Sequence, residues 1–202
     1  MSEVLVLAPL HVEAAALRGS GRILRTGMGR AKARIAAARA LAIDASGVVV
    51  AGVAGGIASG LRPGDLVCAT HVRGDDGIEA DVPGSAQLVA ALEREGLRVH
   101  VGAIASTSRL LPPSERAQLD GVLAVDMESA WLAAAAGERP LAVLRAIADP
   151  AGRRLTDPRV VPEGVRALQS LRRSRAAIAE WAAANTSAPD IVGDVYAREL
   201  SA

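Results

Sequence analysis

The sequence predicts an α/β fold: a single domain of three layers, in which a central, largely parallel mixed β-sheet is flanked by helices. Four observations bear on it. Short apolar β-type runs alternate with Ala- and Arg-rich stretches of helical spacing, the pattern of strands joined by helical crossovers. The length of 202 residues fits one domain able to bury about two-thirds of its unfolded surface or more. No internal repeat, low-complexity tract or linker divides it, so 1–202 reads as one unit with 185–202 as a polar peripheral tail. Finally, acids and glycines collect just past the apolar runs. Glu13 follows 4–7, Gly27 and Gly29 follow Ile23-Leu24, and Gly52, Gly55 and Gly56 follow 48–50; Asp126 and Glu128 follow 122–125, and Asp149 follows 143–147. In an open α/β sheet the carboxyl ends of the strands line the ligand crevice. The expectation is one cleft with carboxylates above a glycine-built floor, in an enzyme for a polar small molecule.

The elements follow in order. Residues 3–8 form a buried strand and 12–18 a helix. Residues 30–44 form a helix, with Ala31, Ile35, Ala38 and Ala42 at helical spacing. Gly47 precedes a strand over 48–52, and the Pro63-Gly64 turn precedes another over 65–70. The polar stretch 71–77 is expected to be a loop. Residues 85–95 form a helix stopped by Gly96, and 99–105 a strand. Pro112-Pro113-Ser114-Glu115 opens a short helix, because proline suits the first turn. A strand at 122–126 runs into a helix at 128–136 that Gly137 ends; a strand at 141–147 follows, then one long helix or two over 163–184.

Composition narrows the function class. Hydrophobic residues make up 50% of the chain, yet Phe is absent, so the core is built from small aliphatic side chains. Lys32 is the only lysine, and the formal net charge is +1, which supplies no global attraction to nucleic acid. Cys68 is the only cysteine, so an internal disulfide is excluded, as suits a reducing compartment. Its place in an apolar strand makes it core rather than nucleophile. The N-terminus does not read as a signal peptide, and no apolar run reaches the ~18 residues of a membrane span. The expected location is the cytoplasm, free or at the inner membrane surface. His11, His71 and His100 show no metal-ligand spacing, so neither a metal nor an organic cofactor is expected.

Three motifs and two single acids carry chemistry. Thr26-Gly27-Met28-Gly29-Arg30 joins a strand to a helix; its glycines let backbone N–H groups approach a ligand oxygen. It is not a dinucleotide fingerprint, because Lys32 stands where the third glycine belongs, which disfavours a nicotinamide-dependent oxidoreductase. Three glycines at Gly52, Gly55 and Gly56 suggest backbone packed on a substrate, or else a sharp bend. Asp126-Met127-Glu128-Ser129 ends a strand in two acids that are costly to bury unless they bind something, such as ribose hydroxyls; one acid alone would be explained by a helix N-terminus. Asp149, before Pro150, is either a turn former or a partly desolvated acid that hands a proton to a ring nitrogen. Glu13 is either a solvated first-turn glutamate or a base that positions water.

Taken together, Thr26-Gly27-Met28-Gly29, Gly52-Val53-Ala54-Gly55-Gly56, Pro63-Gly64-Asp65-Leu66-Val67, Val125-Asp126-Met127-Glu128-Ser129 and Arg145-Ala146-Ile147-Ala148-Asp149 resemble the nucleoside phosphorylase and nucleosidase superfamily, in its order and over residues 3 to about 150. That superfamily includes purine nucleoside phosphorylases, uridine phosphorylases and methylthioadenosine/S-adenosylhomocysteine nucleosidases. The run 143–151 looks most like the hopanoid-biosynthesis members, which remove adenine from adenosylhopane. The resemblance implies that Glu13 handles the attacking water, that Met127 and Glu128 pack on and hydrogen-bond the ribose, and that Asp149 protonates purine N7. It also implies that Gly27 and Gly29 form the turn beside the nucleophile. Arg30, Gly52, Gly55 and Asp126 complete the expected substrate-binding set.

Three departures bear on the reaction. Val50 and Val53 stand where phosphorylases carry an arginine and a serine for phosphate, which favours water as nucleophile over phosphate as co-substrate. No aromatic is offered to the base: residues 106–111 supply only leucines as apolar groups. The chain is also short around 72–84. The implied activity is cleavage of the N-glycosidic bond of a 5′-substituted adenosine, by hydrolysis or else phosphorolysis, in a homo-oligomer of two or more copies. The rival is a nucleoside-binding module that has lost catalysis. A further expectation concerns the basic stretch 151–182, with seven arginines against three acids and Leu168, Leu171, Ile178 and Trp181 at helical spacing. It is read either as a helix packed on the domain or as one drawn to anionic lipid.

Overall fold

The computed structural model describes residues 3–149 and 160–186. The elements run β1 (Leu5–Ala8), α1 (His11–Ala16), β2 (Arg22–Arg25), α2 (Arg30–Leu41), β3 (Val48–Gly56), β4 (Leu66–Gly74), β5 (Glu79–Asp81), α3 (Ser85–Arg94) and β6 (Val99–Ser106). They continue with α4 (Pro113–Arg116), β7 (Ala124–Asp126), α5 (Ser129–Leu132), a 3₁₀ turn (Ala133–Ala136), β8 (Leu141–Asp149), α6 (Val160–Arg173) and α7 (Arg175–Thr186).

One eight-stranded mixed sheet organises them. Five of its pairings are parallel (β1·β2, β1·β3, β3·β8, β4·β6, β6·β7) and three antiparallel (β3·β7, β4·β5, β4·β8). The expected flanked sheet is present, but it is not open. β3, β8, β4, β6 and β7 pair in a ring, so the sheet closes on itself. The closure depends on β3. It pairs with β8 along its length, shifts register between Ala54 and Gly55, and pairs with β7 through Gly55 and Gly56. A bulge bends the strand and adds twist, which allows one strand to serve two neighbours. Gly52, Gly55 and Gly56 therefore lie within β3, not past its end.

The period of two along β1 sorts its side chains to two cores, since successive residues of a strand point to opposite faces. Leu5 and Leu7 join Val48, Val50 and Val143 under α2 and α5, while Val4 and Val6 join Val49, Leu88, Leu171, Ile178 and Trp181 under α3, α6 and α7. Both faces are covered, which gives the three layers.

Several expectations change. α2 buries Ala33, Ala36, Ala37 and Ala40 and exposes Ala31, Ile35, Ala38 and Ala42, the set the helical spacing picked out. The helix is apolar on more than one side, and the small side chains are the ones that allow close approach to the sheet. Residues 71–74 continue β4, with Val72 fully buried, and a hairpin returns as β5. The expected helix over 128–136 is one α turn followed by a 3₁₀ turn, ended by Gly137 at φ +58°. Residues 160–186 form two helices, and Leu171, Ile178 and Trp181 are buried in the core, so this apolar stripe packs on the domain. Arg153, Arg154, Asp157 and Arg159, with the tail beyond 186, lie outside the described residues. No helix among the described residues is long and apolar enough to cross a membrane.

Candidate active site

The ends of β3, β7 and β8, the loop before α1 and the start of α5 converge on one cavity of about 220 Å³. Glu13, the consecutive Asp126, Met127 and Glu128, and Asp149, from three separate stretches of the sequence, all line it.

Glu13 is 1% exposed. Its Oε2 accepts the Leu10 N–H at 2.6 Å, closing the first turn of α1 on itself, and its Oε1 accepts the Val53 N–H of β3 at 2.8 Å. Glu128, at the residue preceding α5, accepts the Gly29 N–H on Oε1 at 2.8 Å. That bond explains the Thr26–Gly29 turn: Gly27 and Gly29 have φ of +78° and +92°, where a side chain would be strained, and the turn points its N–H at the glutamate. Asp126 holds the start of α5. Its Oδ1 accepts the Ser106 hydroxyl at 2.5 Å and the N–H groups of Glu128 and Ser129 at 3.2 Å each.

One cation serves these three acids. Arg145 of β8 is fully buried; its Nε donates to Ser129 Oγ at 3.0 Å and lies 2.7 Å from Asp126 Oδ2 as an ion pair. Its Nη2 is 4.0 Å from Glu128 Oε2. Gly52 exists for this cluster: a Cβ there would run into Arg145 Nη1 and come within 2.8 Å of Glu13 Oε1. The room at Gly52 is thus filled by the chain's own side chains, and Gly52 does not line the cavity, whereas Gly55 does. Three carboxylates against one guanidinium leave an excess of negative charge in a dry setting. Burial raises the Glu13 carboxyl, with Arg145 pulling it back. Burial pushes Glu128 up to about 7; Arg145 opposes this, while Asp126 and Glu13 add repulsion.

Asp149 ends β8 and is paired with the buried Arg116 of α4, whose Nη1 donates to Oδ2. Burial raises its carboxyl and the guanidinium lowers it. Apart from Thr107, the remaining walls are apolar, formed chiefly by Leu10, Met28, Val53, Leu110 and Leu111 with Met127.

A second cavity of about 640 Å³ adjoins the first, sharing Pro9, Leu10 and Met28. Leu24, Ile35 and Ala36 line it together with His11, Arg25, Lys32 and Arg39, and Gly27 lies on its wall. Arg30 lines neither cavity. It is exposed, 3.7 Å from Asp75 and from Asp76, with its guanidinium 5.9 Å from the centre of the Trp131 ring. Val50 is buried in the core and Val53 presents its N–H to Glu13, so neither position holds an anion. The Cys68 thiol, pushed up to about 12 by burial, is core as expected.

Sequence reasoning missed Arg145 and Arg116 as site residues. A charged residue inside the otherwise apolar run 141–147 was the available signal for Arg145, since a buried charge needs partners. Arg116 sits in a polar turn where arginine is unremarkable, and only the fold turns it inward.

Comparison with known proteins bears on the fold and the family. No curated protein sequence matches the chain. Among solved structures, the 5′-methylthioadenosine/S-adenosylhomocysteine nucleosidase of Campylobacter jejuni superposes with a TM-score of 0.77 at 16% identity, over 90% of this chain and 98% of that one. S-adenosylhomocysteine nucleosidase from Streptococcus pyogenes, in complex with 5-methylthiotubericidin, gives 0.71 at 22% identity, over 86% and 95%. Futalosine hydrolase of Helicobacter pylori gives 0.71 at 16%, over 90% and 97%. At these identities the likeness is one of fold. The sequence itself matches the description of the phosphorylase superfamily over residues 18–183, which span most of the sheet and both ends of the cavity, and the chain belongs to that superfamily.

Proposed function

We propose that this chain hydrolyses the N-glycosidic bond of a 5′-substituted adenosine and releases adenine. The observation that carries the reading is a single cavity with a carboxylate cluster at one part (Glu13, Glu128, Asp126) and an acid at another (Asp149). Glu128 accepts hydrogen bonds from the ribose hydroxyls and, with its charge, favours the cationic sugar of an oxocarbenium-like transition state. Asp149 gives its proton to a ring nitrogen while the C1′–N9 electron pair leaves with the base. Glu13 orients a water and takes its proton as oxygen bonds to C1′. Each proton transfer is typically worth ~10²–10⁴-fold in rate. Met127, Val53 and the leucines of 110–111 pack on the base in place of an aromatic ring.

Water is favoured over phosphate as nucleophile on electrostatic grounds. The cavity is lined by Glu13, Asp126, Glu128 and Asp149, and its cations are engaged: Arg145 by Asp126 and Glu128, Arg116 by Asp149. Four carboxylates against two guanidiniums already engaged leave an excess of negative charge, which would repel a phosphate dianion. The adjoining cavity of about 640 Å³ supports a sizeable 5′ substituent. The finer reading places adenosylhopane there, on the resemblance of 143–151 to the hopanoid-biosynthesis members. The exposed Leu41 of α2, which shares a surface hollow with the exposed Ile78, supports assembly of two or more copies.

The test is adenine release from 5′-methylthioadenosine and from adenosylhopane, with and without phosphate. The reading expects a free ribosyl product in phosphate buffer. Accumulation of the 1-phosphate would replace hydrolysis by phosphorolysis, and binding without release would favour the inactive module.

A further inference from the structure

The mechanism uses Asp149 but leaves its buried partner unexplained. Arg116 is the last residue of α4, a helix of only four residues, and is 4% exposed. Its Nε donates to the Leu111 carbonyl at 2.9 Å and its Nη1 donates to Asp149 Oδ2. β3 is shaped around the pair: a Cβ at Gly55 would come within 2.5 Å of Arg116 Nη1 and 3.3 Å of Asp149 Oδ1. Gly55 lies three residues from Gly52, which makes the corresponding space for Arg145 and Glu13, so β3 leaves room for a buried cation at each of two places. Taking a guanidinium out of water is costly, and Arg145 already serves the ribose end. The second arginine is therefore dedicated to the acid at the base end.

We propose that Arg116 is a positioning residue for Asp149. It pins one carboxyl oxygen so that the other faces the base, and its charge sets the pH above which the acid has no proton to give. The inference rests on the reading of Asp149 as the group that protonates the leaving base. Among the described residues, Arg116 is the one charged group paired with Asp149. Across the cavity, β7 and α5 present Asp126 and Glu128, and α1 presents Glu13, with Arg145 among these three. β3 offers only uncharged Ala54 and Gly55. α6, packed on β8, buries Glu163, and its Arg166, Arg172 and Arg173 are exposed. A carboxyl buried without a partner keeps its proton to high pH, and an adjacent arginine brings its midpoint down by about 1–3 pH units.

The experiment is a ¹³C-carboxyl NMR titration of the substrate-free protein, with the Asp149 signal assigned by its loss in D149N. Wild type, R116M and R116K are compared. The midpoint is expected at least about one pH unit higher in R116M than in wild type. R116K, which keeps the charge but not the two-point geometry, falls nearer wild type. The alkaline limb of kcat/KM on 5′-methylthioadenosine should move in the same order, while kcat on the acid plateau stays low in R116K because the carboxyl is no longer pinned. An equal midpoint in wild type and R116M, with both proteins folded by near-ultraviolet circular dichroism, overturns the proposal and leaves Arg116 a strut for α4. A shifted midpoint in a wild-type protein that frees no base keeps the effect of Arg116 on the carboxyl and overturns the hydrolase reading instead.

Discussion

Glu128→Gln separates the cost of the site from its use. Glu128 is 4% exposed and its carboxyl is pushed up to about 7 by burial and by Asp126 and Glu13. An ordinary glutamate in the unfolded chain titrates near 4.5. The folded state therefore binds the proton more tightly than the unfolded one. Stability associated with this group is fully present below pH ~4.5 and is lost as pH rises through ~7. A displacement of about 2.5 units at 1.36 kcal/mol each corresponds to about 3 kcal/mol. Glutamine mimics the protonated acid and still accepts the Gly29 N–H. Relative to wild type, E128Q should gain about 3 kcal/mol between pH 4.5 and 8, equivalent to roughly 6–12 °C in Tm for a chain of this size. Urea unfolding of both proteins at several pH values measures the difference. The raised carboxyls of Glu13 and Asp149 are common to both proteins and largely cancel. E128Q should at the same time lose ribose recognition, with weakened binding and turnover and altered discrimination of 2′- and 3′-deoxy substrates. A stability difference that stays flat with pH would refute the electrostatic account of Glu128, and unchanged discrimination would refute its contact with the ribose.

Other outcomes can be checked alongside. Asp149→Asn keeps shape and removes the transferable proton, so kcat should fall at least ~10²-fold; full turnover would make Asp149 a turn former only. Gly52→Ala forces a methyl into Arg145 Nη1 and toward Glu13 Oε1, and should cost about 1–3 kcal/mol in unfolding experiments together with most activity; a stable, active variant would show that the guanidinium has room to retreat. Arg145→Met leaves Asp126 and Glu128 without their cation; Glu128, whose charge the cationic sugar needs, should hold its proton to higher pH, so the acid limb of the activity profile moves up and the profile narrows from its acid side. Sedimentation with anionic and neutral vesicles tests the basic helices: with Leu171, Ile178 and Trp181 in the core, any binding should come from exposed arginines alone and vanish at high salt. Salt-resistant pelleting would mean that an apolar surface reaches the lipid.

What the sequence determined by itself was the layered α/β architecture and most of the chemistry. Apolar runs with acids at their ends predicted strands that deliver Glu13, Asp126, Glu128 and Asp149 to one place, because strand period and strand ends are local properties of a chain. The fold decided what local pattern cannot carry. Two sets of apolar residues along 31–42 fall at helical spacings, and only packing against the sheet selected Ala33, Ala36, Ala37 and Ala40. The glycines of β3 looked like a floor for substrate, yet Gly52 is there because Arg145, ninety-three residues away, comes to fill that space. The turn at Gly27 and Gly29 looked like a ligand cradle, and its N–H is spent on Glu128. Arg30 opens α2 as an anion-binding residue would, but the hairpin carrying Asp75 and Asp76 draws it to the surface. Arg116 reads as a surface residue until α4 turns it onto Asp149. In each case the deciding interaction joins residues remote in sequence, and the free energy that selects it, apolar packing on the sheet or the pairing of a polar or charged group, exists only once the fold has brought the two together.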